Sequence, residues 1–195
     1  MTDWGLKHVS IDSDAAILDI GCGGGRTIHK LAAIATKGKV YGVDSSETSV
    51  AASRKTNEEC IKSGRVEILH GSVSHLPFPD QMFAVATAVE THFYWPDLPA
   101  DMREVLRVLK PGGALVLVAE VYKGGKYHRR VQRFADLMQK MDFPYANLSV
   151  DEHRELFLRA GFTDVQVIEE YDKGWICAIG KSPSPVADNE ARGKS

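Results

Sequence analysis

The stretch ILDIGCGGGR, Ile17 to Arg26, constrains this chain more than any other. An apolar run with strand character leads straight into four glycines, Gly21, Gly23, Gly24 and Gly25. Glycine inside a regular element is about 0.5–1 kcal/mol less favourable than alanine. A bare backbone here therefore answers a need, either a sharp strand-to-helix turn or a ligand pressed against the main chain. Asp44 closes the next apolar run in VYGVDSS. A carboxylate at the end of a second strand can accept hydrogens from both hydroxyls of an adenosine ribose. Together the glycines and Asp44 predict an adenosine-containing ligand. Asp19 lies within the apolar run, where a carboxylate must be hydrogen-bonded. It is expected to shape the loop and to reach toward the ligand.

The dinucleotide fingerprint requires a third small residue. Gly21-x-Gly23-x-x leads instead to Arg26, whose side chain is expected to crowd the helix–strand contact. No Gly-Lys-Ser/Thr phosphate loop is present. Both facts disfavour NAD and nucleoside triphosphates.

Hydrophobic periodicity along the rest of the chain alternates strand with helix. Strands are expected at 15–20, 39–43, 65–70, 83–89 and 114–121, and helices at 27–36, 47–63, 98–109, 130–141 and 150–160. Leu76-Pro-Phe-Pro-Asp80 reads as a loop, and Pro111-Gly112-Gly113 as a helix stop. Two last strands, 165–169 and 175–179, are joined by a short connection that suits an antiparallel pair. The pattern predicts a doubly wound α/β fold, a mostly parallel sheet covered on both faces with an antiparallel C-terminal edge. In such sheets ligands bind beyond the carboxyl ends of the strands at the switch point, where the glycines fall. Residues 1–181 are expected to form one domain and 182–195 a disordered tail.

Composition narrows the class. The chain has 195 residues, 44% hydrophobic and 26% charged, which suits one globular domain. Its net charge of −2 gives no global attraction to nucleic acid. No apolar run is long enough to span a bilayer, and no secretory leader is visible in Met1-Thr2-Asp3-Trp4. Cys22, Cys60 and Cys177 are odd in number and scattered, which argues for free thiols, a reducing cytoplasmic compartment and no metal site.

With these motifs in place, the sequence resembles the class I S-adenosylmethionine-dependent methyltransferases, especially the small-molecule "type 11" branch. The segments that carry the resemblance are ILDIGCGGGR (17–26), VYGVDSS (40–46), GSVSHLPFPDQMFAVATAV (71–89) and LRVLKPGGALVLVAE (106–120). LFLRAGFTDVQVIEEY (156–171) adds a late helix and strand. The resemblance implies a Rossmann-like sheet of seven strands with S-adenosylmethionine as cofactor. Carried onto matching positions, Asp19, Gly21, Cys22 and Gly23 would hold the methionine end of the cofactor. Asp44 and Ser45 would take the ribose, Ser72 and Val73 would face the adenine, and Ala88 would border the sulfonium. The family usually has Asp in place of Ser72, and Asp in place of Ala84 after Phe83. The stretch before Ile17 is short beside relatives, so Trp4, Leu6 and Val9 are expected to form only a small lid, and a homodimer could cover this end.

Methyl transfer from a sulfonium needs alignment in a water-poor pocket, and a general base only where the nucleophile carries a proton. Glu90-Thr91-His92-Phe93-Tyr94-Trp95 follows the fourth strand. His92 is the expected general base because its unperturbed pKa lies near 6.5, and Glu90, Tyr94 and Tyr122 are the expected substrate-pocket residues. The basic run KGGKYHRRVQR (123–133) is either a solvated helix face or a site for an acidic group on the substrate. The leading reading is methyl transfer to a small-molecule acceptor. Two alternatives stay open, a non-catalytic cofactor-binding protein on the same fold and an enzyme acting on RNA or protein. Nucleic acid is the less expected partner, because no Asn/Asp-Pro-Pro-Tyr motif is present.

Overall fold

The computed structural model describes residues 1–143 and 145–184. Its centre is a seven-stranded sheet of β1 (Ala16–Ile20), β2 (Lys39–Asp44), β3 (Val66–His70), β4 (Phe83–Val89), β5 (Leu109–Glu120), β6 (Thr163–Glu170) and β7 (Trp175–Lys181). The strand order is β3-β2-β1-β4-β5-β7-β6. The first five strands run parallel, and β7 inserts antiparallel between β5 and β6. The chain winds outward from β1 to β3 and then returns to the other side of β1 as β4. That reversal puts the crevice between the carboxyl ends of β1 and β4.

The apolar strands split between two cores by the period-two rule. On β5, Leu115 and Leu117 face one core with Leu18, Phe83, Met102 and Phe157. Val116 and Val118 face the other with Ile17, Ile28, Leu31 and Val40. Helices α2 (Arg26–Ile34), α3 (Glu47–Thr56), α4 (Glu58–Lys62), α5 (Leu98–Val108), α6 (His128–Lys140) and α7 (Val150–Ala160) flank the sheet, after a short amino-terminal turn of helix, α1 (Thr2–Gly5). Asp97 caps α5 by accepting from the Ala100 N–H. Ser149 and Glu152 close a capping box on α7, and Gly161 ends it in the left-handed region.

Three departures from the sequence pattern have local causes. The helix expected over 47–63 breaks at Asn57, whose buried side-chain amide donates to Gly25 O and Ser53 O, both at 3.0 Å. The Pro111-Gly112-Gly113 stop lies inside β5, which begins at Leu109 and is irregular against β4 before Ala114. A Cβ on Gly113 would come within 3.0 Å of Phe83 O, so the close approach of the two strands requires glycine. At the carboxyl end of β7, the backbone of Ser182 pairs with Gly112 and Gly113, so the domain extends past Lys181. Most of the expected tail, 185–195, lies outside the described residues.

The amino-terminal turn does not act as a lid over the crevice. Trp4 packs on Trp175 with ring centroids 5.9 Å apart, and Gly5 lies against Val118 and under the Cys177 thiol. Among the described residues, no helix is long and apolar enough to cross a membrane.

Candidate active site

The site begins with the buried end of β1. The Asp19 carboxylate accepts from the Thr87 hydroxyl at 2.6 Å across the β1–β4 pair. Burial pushes its pKa up to about 7, against the hydrogen bond from Thr87, which lowers it. The chain then turns sharply. The Gly21 and Cys22 N–H groups both donate to Val43 O, and Gly21, Gly23 and Gly25 take positive φ.

The glycines prove to serve different ends. A Cβ on Gly21 would stand 2.5 Å from the Thr91 hydroxyl, and one on Gly25 would strike Asn57 and Ser53 of the neighbouring helix. Gly25 thus provides the close helix contact expected of the third fingerprint position. Arg26, expected to crowd that contact, is exposed at the first turn of α2. A Cβ on Gly23 or Gly24 would meet nothing within 4 Å, so their backbone faces open space.

Asp44 locks this loop to β2. One carboxylate oxygen accepts from the Gly23 N–H at 2.8 Å, the other from the Ser46 N–H at 2.9 Å. A carboxylate has about four acceptor sites, so each oxygen keeps capacity for a ligand hydroxyl. Beside Asp44 opens a cleft of about 350 Å³, and Gly21, Ser45, Ser72, Val73, Glu90, Thr91 and Tyr94 contribute to its walls. The cleft therefore gathers Gly21, Asp44, Ser45, Ser72 and Val73 from the expected cofactor set, with Glu90 and Tyr94 from the expected substrate set.

The other expected residues do not contribute to these walls. Cys22 is buried, with a thiol pushed up to about 12, chiefly by burial, and its sulfur sits close under Gly42. Gly23 is engaged through its N–H on Asp44, and Asp19 stands beneath the loop. Ala88 is fully buried in the core with Leu117 and does not wall the cleft beside Asp44. The position nearest the switch point passes to Glu90 and Thr91.

Two expectations for the substrate side are corrected. His92 is 1% exposed and its Nε2 lies 3.2 Å from Nε2 of His153 on α7. The His153 Nδ1–H donates to Ser149 O at 2.7 Å, so His153 Nε2 is the acceptor and His92 the donor of the pair. Burial and the neighbouring His153 hold the His92 pKa well below its ordinary value. A neutral imidazole shut in the interior is a packing group and not the general base expected from the sequence. Tyr122 is likewise buried, with Phe93, Ala119 and Ile176, and does not wall the cleft beside Asp44.

Glu90 is the titratable side chain that the cleft beside Asp44 does expose on this side. It lies at the carboxyl end of β4 with φ of 60°, beside Val121 at the end of β5 with φ of 74°. Left-handed backbone at a β-branched residue is strained, and such strain clusters at functional sites. The Glu90 carboxylate accepts from the Glu120 N–H, and burial raises its pKa. A second cleft, of about 450 Å³, opens on its far side, walled by Tyr127, Phe134 and Tyr145 with Arg130 at one edge. Tyr145 organises this wall, stacking on Phe93 at 5.5 Å and meeting Phe134 edge-on at 5.1 Å. Thr91, Phe134 and Tyr145 were not legible as site residues. Only an unusual density of aromatics around 143–145 marks that loop in the sequence. Among the described residues, no cluster of three His, Cys, Asp or Glu side chains could hold a metal ion.

Comparison with known proteins fits this geometry. The type 11 family model described as "Methyltransferase domain" matches residues 18–117. A demethylmenaquinone methyltransferase from Geobacillus kaustophilus is 30% identical over 185 residues, covering 83% of this chain and 76% of that protein. Among solved structures, phosphoethanolamine N-methyltransferase 2 of Haemonchus contortus in complex with S-adenosyl-L-methionine superposes with a TM-score of 0.77. It is 16% identical, over 94% of this chain and 52% of that one. A SAM-dependent methyltransferase from Aquifex aeolicus gives a TM-score of 0.72 at 20% identity, over 93% and 89% of the two chains.

Proposed function

This chain belongs to the S-adenosylmethionine-dependent methyltransferases of the type 11 methyltransferase-domain family, and from that premise we propose that it methylates a small, flat, hydroxylated aromatic acceptor. One observation carries this reading. Glu90 is shared by the cleft beside Asp44 and by the aromatic-walled cleft, so it stands where cofactor and acceptor would meet. Demethylmenaquinone, named for the Geobacillus relative, has a flat fused ring whose two carbonyls become hydroxyls on reduction.

The residues present fit the cofactor. The Gly23–Gly24 backbone faces open space, and Asp44 keeps acceptor capacity on both oxygens. In this reading Asp44 and Ser45 take the ribose, Ser72 and Val73 border the adenine, and the Gly21–Gly23 turn with Asp19 behind it receives the methionine end. S-adenosylmethionine supplies a methyl group on a sulfonium that is already an activated leaving group, and transfer is an in-line displacement. What the protein adds is alignment and exclusion of water. Tyr127, Phe134 and Tyr145 hold the acceptor ring by stacking and edge contacts. Glu90 receives the proton of the acceptor hydroxyl, and its raised pKa makes it a stronger base than an ordinary glutamate. The unpaired thiols of Cys22, Cys60 and Cys177 suit a reducing, cytoplasmic setting.

Release of S-adenosylhomocysteine, measured over a panel of acceptors, tests the reading. Turnover is expected with 1,4-dihydroxynaphthalene or catechol and not with glycine or phosphoethanolamine. Glu90→Gln should lower kcat by about 100-fold or more, with binding of S-adenosylhomocysteine held within about threefold. Turnover confined to the aliphatic amines, or a fully active Glu90→Gln enzyme, would contradict it.

A further inference from the structure

We propose that α6 is a docking surface for an anionic lipid bilayer, on which the protein rests with its aromatic-walled cleft facing the membrane. The inference does not depend on which acceptor is methylated. Only Val131 of this helix is buried. Phe134, Leu137 and Met141 follow at spacings of three and four, and therefore share one stripe. They are 41%, 52% and 66% exposed, and Phe143 just beyond is 46% exposed. Apolar side chains gathered on one surface in this way mark an interaction site.

The flanking charge identifies the occupant. Arg129, Arg133 and Lys140, spaced by four and seven, form a second stripe alongside Leu137. All three are exposed, and none makes an ion pair among the described residues. Residues 123–143 hold six Lys and Arg against two Asp, in a chain whose net charge is −2. The overall charge thus conceals a local basic face. An apolar stripe of Phe, Leu and Met edged by arginine and lysine is the composition of a helix lying in the plane of a lipid interface. A protein partner matching this face would have to be apolar and acidic at once, whereas an anionic bilayer offers both properties over any area. Each basic residue near such a surface is worth about fivefold in partitioning. Phe134 belongs both to the stripe and to the wall of the second cleft. A helix seated this way would open the cleft toward the hydrocarbon boundary.

Vesicle co-sedimentation tests the proposal, with purified protein and vesicles of phosphatidylcholine alone or mixed three to one with phosphatidylglycerol. Binding to the mixed vesicles should exceed binding to the neutral ones at least tenfold and should weaken as salt rises from about 50 to 300 mM. Leu137→Glu/Met141→Glu and Arg129→Glu/Arg133→Glu should each lose at least tenfold in binding. Calorimetric titration with S-adenosylhomocysteine should be the same for both variants and the parent, which shows that the fold is intact. Absent binding, equal binding to neutral vesicles, or binding that survives either double substitution would overturn the proposal. A concentration-dependent dimer abolished by Leu137→Glu/Met141→Glu would also overturn it, assigning the face to a second copy of the chain.

Discussion

Asp19 and His92 are both buried titratable groups, and their burial has opposite consequences with pH. The Asp19 pKa is raised from 3.8 to about 7 in the fold. Its neutral form is therefore favoured in the folded state, and the resulting stability is present below about pH 4 and lost as pH rises through 7. The difference amounts to at most about 4 kcal/mol. Asp19→Asn keeps a partner for Thr87 and removes the titration, so it should raise the midpoint of thermal unfolding at pH 8 and flatten its dependence between pH 4 and 7. The same substitution should weaken binding of S-adenosylhomocysteine, since ionised Asp19 favours a cationic ammonium nearby. His92 and His153 run the other way. Their pKa values are depressed, so the stability they allow is present above about 6.5 and is lost as pH falls through their folded values. His92→Phe should alter stability by about 1–3 kcal/mol and leave kcat within about threefold. A loss of kcat comparable to that of Glu90→Gln would restore His92 as the base.

At the scale of elements, the glycine turn is held from three sides: by the carbonyl of Val43 on β2, by the Asp44 carboxylate, and by Asn57 at the α3–α4 break. Asn57→Ala would leave Gly25 O without that donor. It should destabilise the protein by about 1–3 kcal/mol in denaturant unfolding and weaken binding of S-adenosylhomocysteine at the same time. An effect on stability with no effect on binding would detach α3 from the working of the loop. Asn57 also shows where sequence pattern stops. The strand-helix alternation was legible because the apolar runs on β1, β2, β4 and β5 are continuous and the turns carry Gly and Pro. The break at Asn57 was not, since 47–63 has helical composition throughout and only the distant Gly25 carbonyl interrupts it. The same holds across the site. Gly21 and Asp44 announce themselves by their place after apolar strands, and both line the cleft. His92 attracted a catalytic reading by residue type and by its place after β4, and the contact that silences it comes from His153, 61 residues away. Tyr145 lies in a loop with no periodicity and became visible only through the rings it touches.

At the scale of the whole molecule, the order β3-β2-β1-β4-β5-β7-β6 does most to locate function. It sets the ends of β1, β2 and β4 around one cleft and the ends of β4 and β5 around the other, with Glu90 between them. The central claim is that the bared turn and Asp44 form one adenosyl seat. Calorimetric titration with S-adenosylhomocysteine, on the parent and on Asp44→Ala with NADH as control, tests it most directly. The account predicts micromolar binding by the parent and no binding of NADH, and charged hydrogen bonds of about 1.5–3 kcal/mol predict a loss of at least tenfold in the variant. Equal affinity in parent and variant, or binding of NADH in place of S-adenosylhomocysteine, would contradict the account.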